Sequence, residues 1–157
     1  GKRGDRFSYD QEHLGSNLER FLKSTNASCL LSSRKFEPIE KIALVLTDEH
    51  YWSEVVEFVN SAAALGSNEM HFIHTFGDRI PPSVSRLIEE LQQPSRVVKL
   101  HQISRSNESD VVSKVSELGA DLLMIGAQKG HHLLHWFTTP VGTLLVKHCR
   151  IPILVCR

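Results

Sequence analysis

From Lys41 onward, short apolar runs alternate with amphipathic stretches. Ile42-Ala43-Leu44-Val45-Leu46 is an unbroken apolar run that stops at Thr47-Asp48. A strand with one wet face would alternate, so this run predicts a strand covered on both faces. Val55, Val56, Val59, Ala62 and Ala63 follow at helical spacing, and Gly66 offers a stop. Residues 70–75 read as the next strand. Pro81-Pro82 opens a helix carrying Val84, Leu87, Ile88 and Leu91, and Pro94 closes it. Proline suits the first turn because the N–H it lacks has no partner there. Residues 97–103 predict a third strand, with Val98, Leu100 and Gln102 on one face. Val111, Val112, Val115 and Leu118 form an apolar stripe ended by Gly119. Asp121 precedes a fourth strand at 122–125, and Gly126 begins a turn. A helix over 140–149 leads to a last strand at 151–156. Strands alternating with helices in this way predict a parallel sheet with helices on both faces.

Residues before Lys41 break the alternation. They predict one helix, with Leu14, Leu18, Phe21 and Leu22 on one face, and one strand around 29–32. Residues 35–40, with Pro38, read as a linker. A lone helix and strand cannot bury an apolar face by themselves. They need the rest of the chain or a partner.

An internal repeat accounts for them. Segments 1–33 and 126–157 share the order glycine-bearing loop, amphipathic helix, short apolar strand. Their helices end in Lys23-Ser24-Thr25 and Lys147-His148-Cys149, and both strands end in arginine, at Arg34 and Arg157. This pattern predicts a tandem organisation. Residues 1–34 are then the last helix and strand of a first domain, and 41–157 a complete second one.

Composition narrows the field. The 157 residues are 41% hydrophobic and 23% charged, enough apolar mass for a sizeable core. Lys+Arg and Asp+Glu each number 18, so there is no basic excess to neutralise phosphates, and nucleic acid is not an expected partner. Three cysteines with no CxxC pair point to free thiols in a reducing compartment. No apolar run approaches a membrane span, and the polar segment 1–10 does not read as a signal peptide. The expected location is the cytoplasm, with no membrane partner.

Several motifs together resemble the universal stress protein family. Leu44-Val45-Leu46-Thr47-Asp48 is similar to the family's first strand, which ends in an aspartate near the nucleotide. Ser116-Glu117-Leu118-Gly119-Ala120-Asp121-Leu122 is similar to its helix-to-strand turn. Ile151-Pro152-Ile153-Leu154-Val155 matches its last strand. The resemblance covers 41–157, and Gly1-Lys2-Arg3-Gly4 with Leu14–Arg20 resembles the motif loop and helix of a preceding domain. It implies an open, doubly wound, Rossmann-like α/β fold with a five-stranded parallel sheet in the order 3-2-1-4-5. The last strand commonly mediates dimer contact in this family. The Cys29, Leu30, Leu31 strand is therefore expected against Ile151, Ile153 and Val155, as a dimer or pseudodimer seam with the other universal stress domain.

The family's phosphate loop, Gly-x2-Gly-x9-Gly-Ser/Thr, lets glycine backbone approach a triphosphate while N–H groups of the next helix face the anion. In the first segment Gly1, Gly4, Gly15 and Ser16 supply these pieces, so ATP with Mg is an expected cofactor of the first domain. Counting back from Pro152 without gaps, Gly126 takes the first glycine position and Lys129 the second, while Thr139 and Pro140 fall on the Gly-Ser pair. Pro140 removes a donor where phosphate needs one. It also makes a sound helix start, with Thr139 as cap. A rival register uses Gly130 and Gly142-Thr143 but leaves too few residues for the helix before Ile151.

The leading expectation is a regulatory stress-response protein, with this half serving as a degenerate, non-ATP-binding pseudodimer or interaction domain for an unidentified regulatory protein. The alternative is an ATP-binding sensor with little or no hydrolysis, its nucleotide held by Asp48, Gly126, Lys129, Gly130 and Thr139. His131, His132 and His135 raise a third option, metal binding, but no HExxH or cysteine spacing accompanies them. His71 and His74 fall on opposite faces of one strand. Cys149 sits at a helix C-terminus, where the dipole disfavours a thiolate, and Cys156 reads as an inert core thiol. No Gly-x-Ser-x-Gly elbow or other catalytic constellation is present. Trp136-Phe137 beside Leu133-Leu134 reads as a loop collapsed into an empty cleft, or as a docking surface.

Overall fold

The computed structural model describes residues 16–25, 27–32, 37–46, 58–59, 69–74, 80–92, 94–103, 108–126, 145–146 and 148–156. In chain order their elements are α1 (Ser16–Ser24), β1 (Cys29–Leu31), β2 (Lys41–Leu46), β3 (Glu69–His74), α2 (Pro82–Leu91), β4 (Val97–Gln102), α3 (Glu108–Leu118), β5 (Leu122–Gly126) and β6 (Ile153–Cys156). The strands form one sheet in the order β1-β6-β5-β2-β3-β4. Strands β2 to β6 run parallel. Counted from β2, their order is 3-2-1-4-5, as the resemblance implies. The sheet is larger than expected by one strand, because β1 adds to β6 and runs antiparallel. An uncovered β6 would present a row of unpaired backbone groups, and β1 occupies that edge.

The unbroken apolar runs are explained by their surroundings. Ala43, Val45, Ile73, Leu123, Ile125, Ile153 and Val155 point to one face, where Val111 and Val115 of α3 cover them with Leu22, Leu145 and Val146. Ile42, Leu44, Leu46, Met70, Phe72, Leu122, Met124, Leu154 and Cys156 point to the other, against Val84, Leu87 and Leu91 of α2 and against Val59. Alternate residues of one strand thus enter two cores, and each fully buried Leu, Ile, Phe or Met contributes about 1.5–3 kcal/mol.

Helix ends follow the residues that signal them. Pro81 is extended at the α2 N-cap with Pro82 in the first turn, and the Gln92 N–H closes the helix on the Ile88 carbonyl. Past α3, Gly119 adopts φ +61°, the left-handed conformation glycine takes without a Cβ penalty.

Two expectations need correction. Phe21, placed on the buried face of α1, is 54% exposed. Among the described residues Leu18 and Leu22 carry that face, both packed into the core under α3. The last strand begins at Ile153 rather than Ile151, since Pro152 has no N–H for the ladder. Val98, Leu100 and Gln102 share one face of β4, as expected; Val98 and Leu100 are half-buried there and Gln102 is exposed, at an edge of the described sheet.

Candidate functional site

In an open α/β sheet, ligands bind beyond the carboxyl ends of the strands where the strand order reverses. Here that point lies between β2 and β5. Their register ends with Val45 opposite Ile125, so the chain leaves Leu46 and Gly126 from neighbouring strands. Gly126 is buried at the end of β5, beside Cys156 of β6. Asp48 follows β2, and Lys129, Gly130 and Thr139 follow β5. All four lie outside the described residues, as do Gly1, Gly4, Gly15 and His131, His132 and His135. Ser16 is the first residue of α1.

At the opposite end of the sheet, Asp121 holds two strand starts together. Its Oδ2 accepts the N–H groups of Glu40 (3.1 Å) and Lys41 (2.9 Å). The Asp121 N–H donates to the Lys41 carbonyl at 2.8 Å, and Lys41 Nζ donates to the Leu118 carbonyl at 3.1 Å. The turn after α3 is thereby tied to the first residue of β2. Asp121 entered the sequence reading only as part of a turn motif, and its partners lie some eighty residues away.

Beside this clamp, Glu69, His71, Lys99 and His101 gather on the α3 face of β3 and β4. Lys99 Nζ donates to Glu69 Oε1 at 2.6 Å, and Lys41 Nζ lies 3.7 Å from Oε2. The Lys99 hydrogen bond holds the Glu69 carboxyl below the ordinary carboxylate range, against a smaller opposing effect of burial. His71 Nε2 lies 3.0 Å from Glu69 Oε1, close but not aligned as a hydrogen bond. Its Nδ1 is 2.8 Å from His101 Nε2. Burial holds His71, His74 and His101 below the ordinary imidazole value. His71 and His74 do face opposite cores. Sequence gave no signal for the His71–His101 pair, which needs the β3–β4 register. Among the described residues, no group of three or more His, Cys, Asp or Glu is arranged to hold a metal ion.

Cys29, Cys149 and Cys156 form no disulfide. Cys29 and Cys149 are half-buried, and burial pushes the Cys156 thiol up to about 12. Such a thiol is a core filler rather than a nucleophile.

The β1–β6 seam has a symmetry of its own. Aligning Lys23 with Lys147 places Leu22 on Val146, Cys29 on Ile153, Leu30 on Leu154 and Leu31 on Val155. The observed pairs are Cys29 with Val155, Leu30 with Leu154 and Leu31 with Ile153. Leu30 thus faces its own equivalent, and the flanking pairs exchange, which is the register of an isologous two-fold contact. The faces agree, for Cys29, Leu31, Ile153 and Val155 all join the core under α3, together with Leu22 and Val146. Aligning Arg34 with Arg157 would shift the strands by one residue and exchange their faces, so that correspondence does not hold.

The described residues therefore form an open, mostly parallel α/β sheet of the Rossmann-like class. The likeness is to universal stress proteins, both in sequence and in fold. The universal stress protein Slr1230 of Synechocystis is 23% identical over 162 aligned positions, spanning all of this chain and 56% of that protein. The crystal structure of a universal stress protein from Archaeoglobus fulgidus superposes with a TM-score of 0.63 at 18% identity, over 88% of this chain and 52% of that one. This chain thus spans about half the length of each. No protein-family model matches the sequence. Among the described residues, no helix is long and apolar enough to cross a membrane.

Proposed function

We propose that this chain belongs to a tandem universal stress protein, a cytoplasmic stress-response regulator rather than an enzyme. In this reading residues 41–157 are a degenerate, non-ATP-binding unit, and 1–34 are the last helix and strand of the preceding unit. The observation that carries it is the β1–β6 register, in which two strands of similar sequence meet about a local two-fold at Leu30 and Leu154. The greater length of the relatives supports it. So does exposure: Leu30 is 57% exposed and its equivalent Leu154 only 7%, as expected if Leu30 faces a core that the preceding unit supplies. Pro140, with no N–H at a phosphate-binding position, argues against ATP in the second unit.

Calorimetric titration of the chain with ATP and magnesium tests the assignment. Absence of binding at concentrations sensitive to micromolar affinity is the expected result. Saturable binding that is lost in Asp48→Ala would overturn it, and would make this half the nucleotide sensor.

A further inference from the structure

The His71–His101 pair sits on β3 and β4 rather than at the carboxyl ends of β2 and β5, and the proposed function makes no use of it. His71 is 3% exposed and His101 half-buried. Their rings are tilted by only 16° with centroids 5.0 Å apart. With nitrogens 2.8 Å apart, this is the disposition of two imidazoles meeting edge to edge through one shared proton, not of two rings stacked face to face.

The tautomers follow from the neighbours. Glu69 Oε1 sits 3.0 Å from His71 Nε2, where a lone pair would be repelled and an N–H attracted. His71 Nδ1 is then the acceptor, and His101 Nε2–H donates to it. One added proton fits this arrangement. It enters on His71 Nδ1, which turns donor toward His101 Nε2, while the proton on His101 moves to its Nδ1. The new imidazolium lies between the Glu69 carboxylate and a neutral ring. A second proton does not fit, because two N–H groups would then face each other across the same contact, with two cations joined.

Among the described residues, charged groups around the pair act on this balance. Glu69 of β3 favours the first proton, while Lys41 of β2 and Lys99 of β4 oppose it. From α3, Lys114 opposes charge on His101 and Glu117 favours it.

We infer that the His71–His101 pair is an acid-sensitive latch on the edge strand β4, closed with one proton or none beyond neutrality and opened by the second. β4 is suited to such release, since among the described residues it pairs with β3 alone and is the least buried of the parallel strands. Its opening would bare the β3 edge for another strand.

Hydrogen exchange of the whole chain between pH 7.5 and 4.5, corrected for intrinsic rates, tests the latch. Opening linked to one proton lowers the protection of amides in the β3–β4 ladder tenfold per pH unit below the second protonation. Amides between β2 and β5 should lag behind. His101→Gln keeps a neutral donor near the Nε2 position and cannot take a proton, so its β4 protection should stay flat over the same range. Glu69→Gln should move the first imidazole step, followed by ring-carbon NMR, to lower pH. Equal loss of protection at β4 and β2–β5 in the native chain would overturn the latch without any variant. An unchanged acid response in His101→Gln would do the same.

Discussion

Replacing Asp121 tests the tie between the turn after α3 and the start of β2. Asp121→Ala removes two hydrogen bonds from one carboxylate to backbone N–H groups, each worth about 1.5–3 kcal/mol when the acceptor is charged. The losses differ by site. Glu40 is exposed, so its N–H finds water; Lys41 is half-buried and already holds the strand start, so its N–H is the orphan. The net cost should be about 2 kcal/mol, with Tm lowered by about 4–8 °C for a chain of this size. Asp121→Asn keeps an oxygen but loses the charge, which about halves each bond, and should cost about 1 kcal/mol. Urea unfolding read by circular dichroism gives both values by linear extrapolation, with the slope expected to stay constant. Asp121→Ala within about 0.5 kcal/mol of the parent would refute the clamp. So would Asp121→Asn costing as much as Asp121→Ala.

Other consequences are as direct. His71, His74 and His101 are held below 6.5 in the fold, so the unfolded chain binds protons that the folded one refuses. Stability should be flat above about pH 6.5 and fall below it, by up to about 1.4 kcal/mol per pH unit for each imidazole still neutral, as urea midpoints from pH 8 to 5 would register. Leu22→Ala should cost about 2–4 kcal/mol, because its side chain is 1% exposed in the core under α3; no change in the urea midpoint would mean that α1 is not docked there. Leu154→Ala should cost a similar amount and Leu30→Ala less than about 1 kcal/mol, and equal losses would contradict their difference in exposure. Cys156 should resist iodoacetamide in the native chain at pH 8 and react after denaturation, with mass spectrometry assigning the label.

How much of this could be read beforehand depended on whether the cause was local. The ends of α2 and α3 were legible because Pro82 and Gly119 act within one turn of themselves. The central strands were legible because only a doubly covered strand tolerates an unbroken run such as 42–46. Phe21 misled because periodicity assigns a face but not its cover. The Asp121 clamp and the His71–His101 contact were beyond reach, since each joins residues brought together by strand register. For the candidate nucleotide residues, Gly126 could be placed at the reversal of strand order because its strand could be read. Its suggested companions follow from motif spacing alone.

The course of the chain makes the N-terminal segment the most informative part. Consecutive strands usually lie side by side. Yet β1 and β2, joined by nine residues, are separated in the sheet by β5 and β6. No βαβ step relates them, and β1 runs against every strand of the parallel set. A strand added only to blunt the β6 edge would need no helix beside it in the same core, and any register would serve. Here Leu30 meets Leu154, equivalent residues share a face, and Leu22 enters the same core as Val146. Register and helix placement are the features that the proposed second α/β unit, packed about a local two-fold, would explain together. Edge-blunting accounts for the presence of a strand and for neither of these.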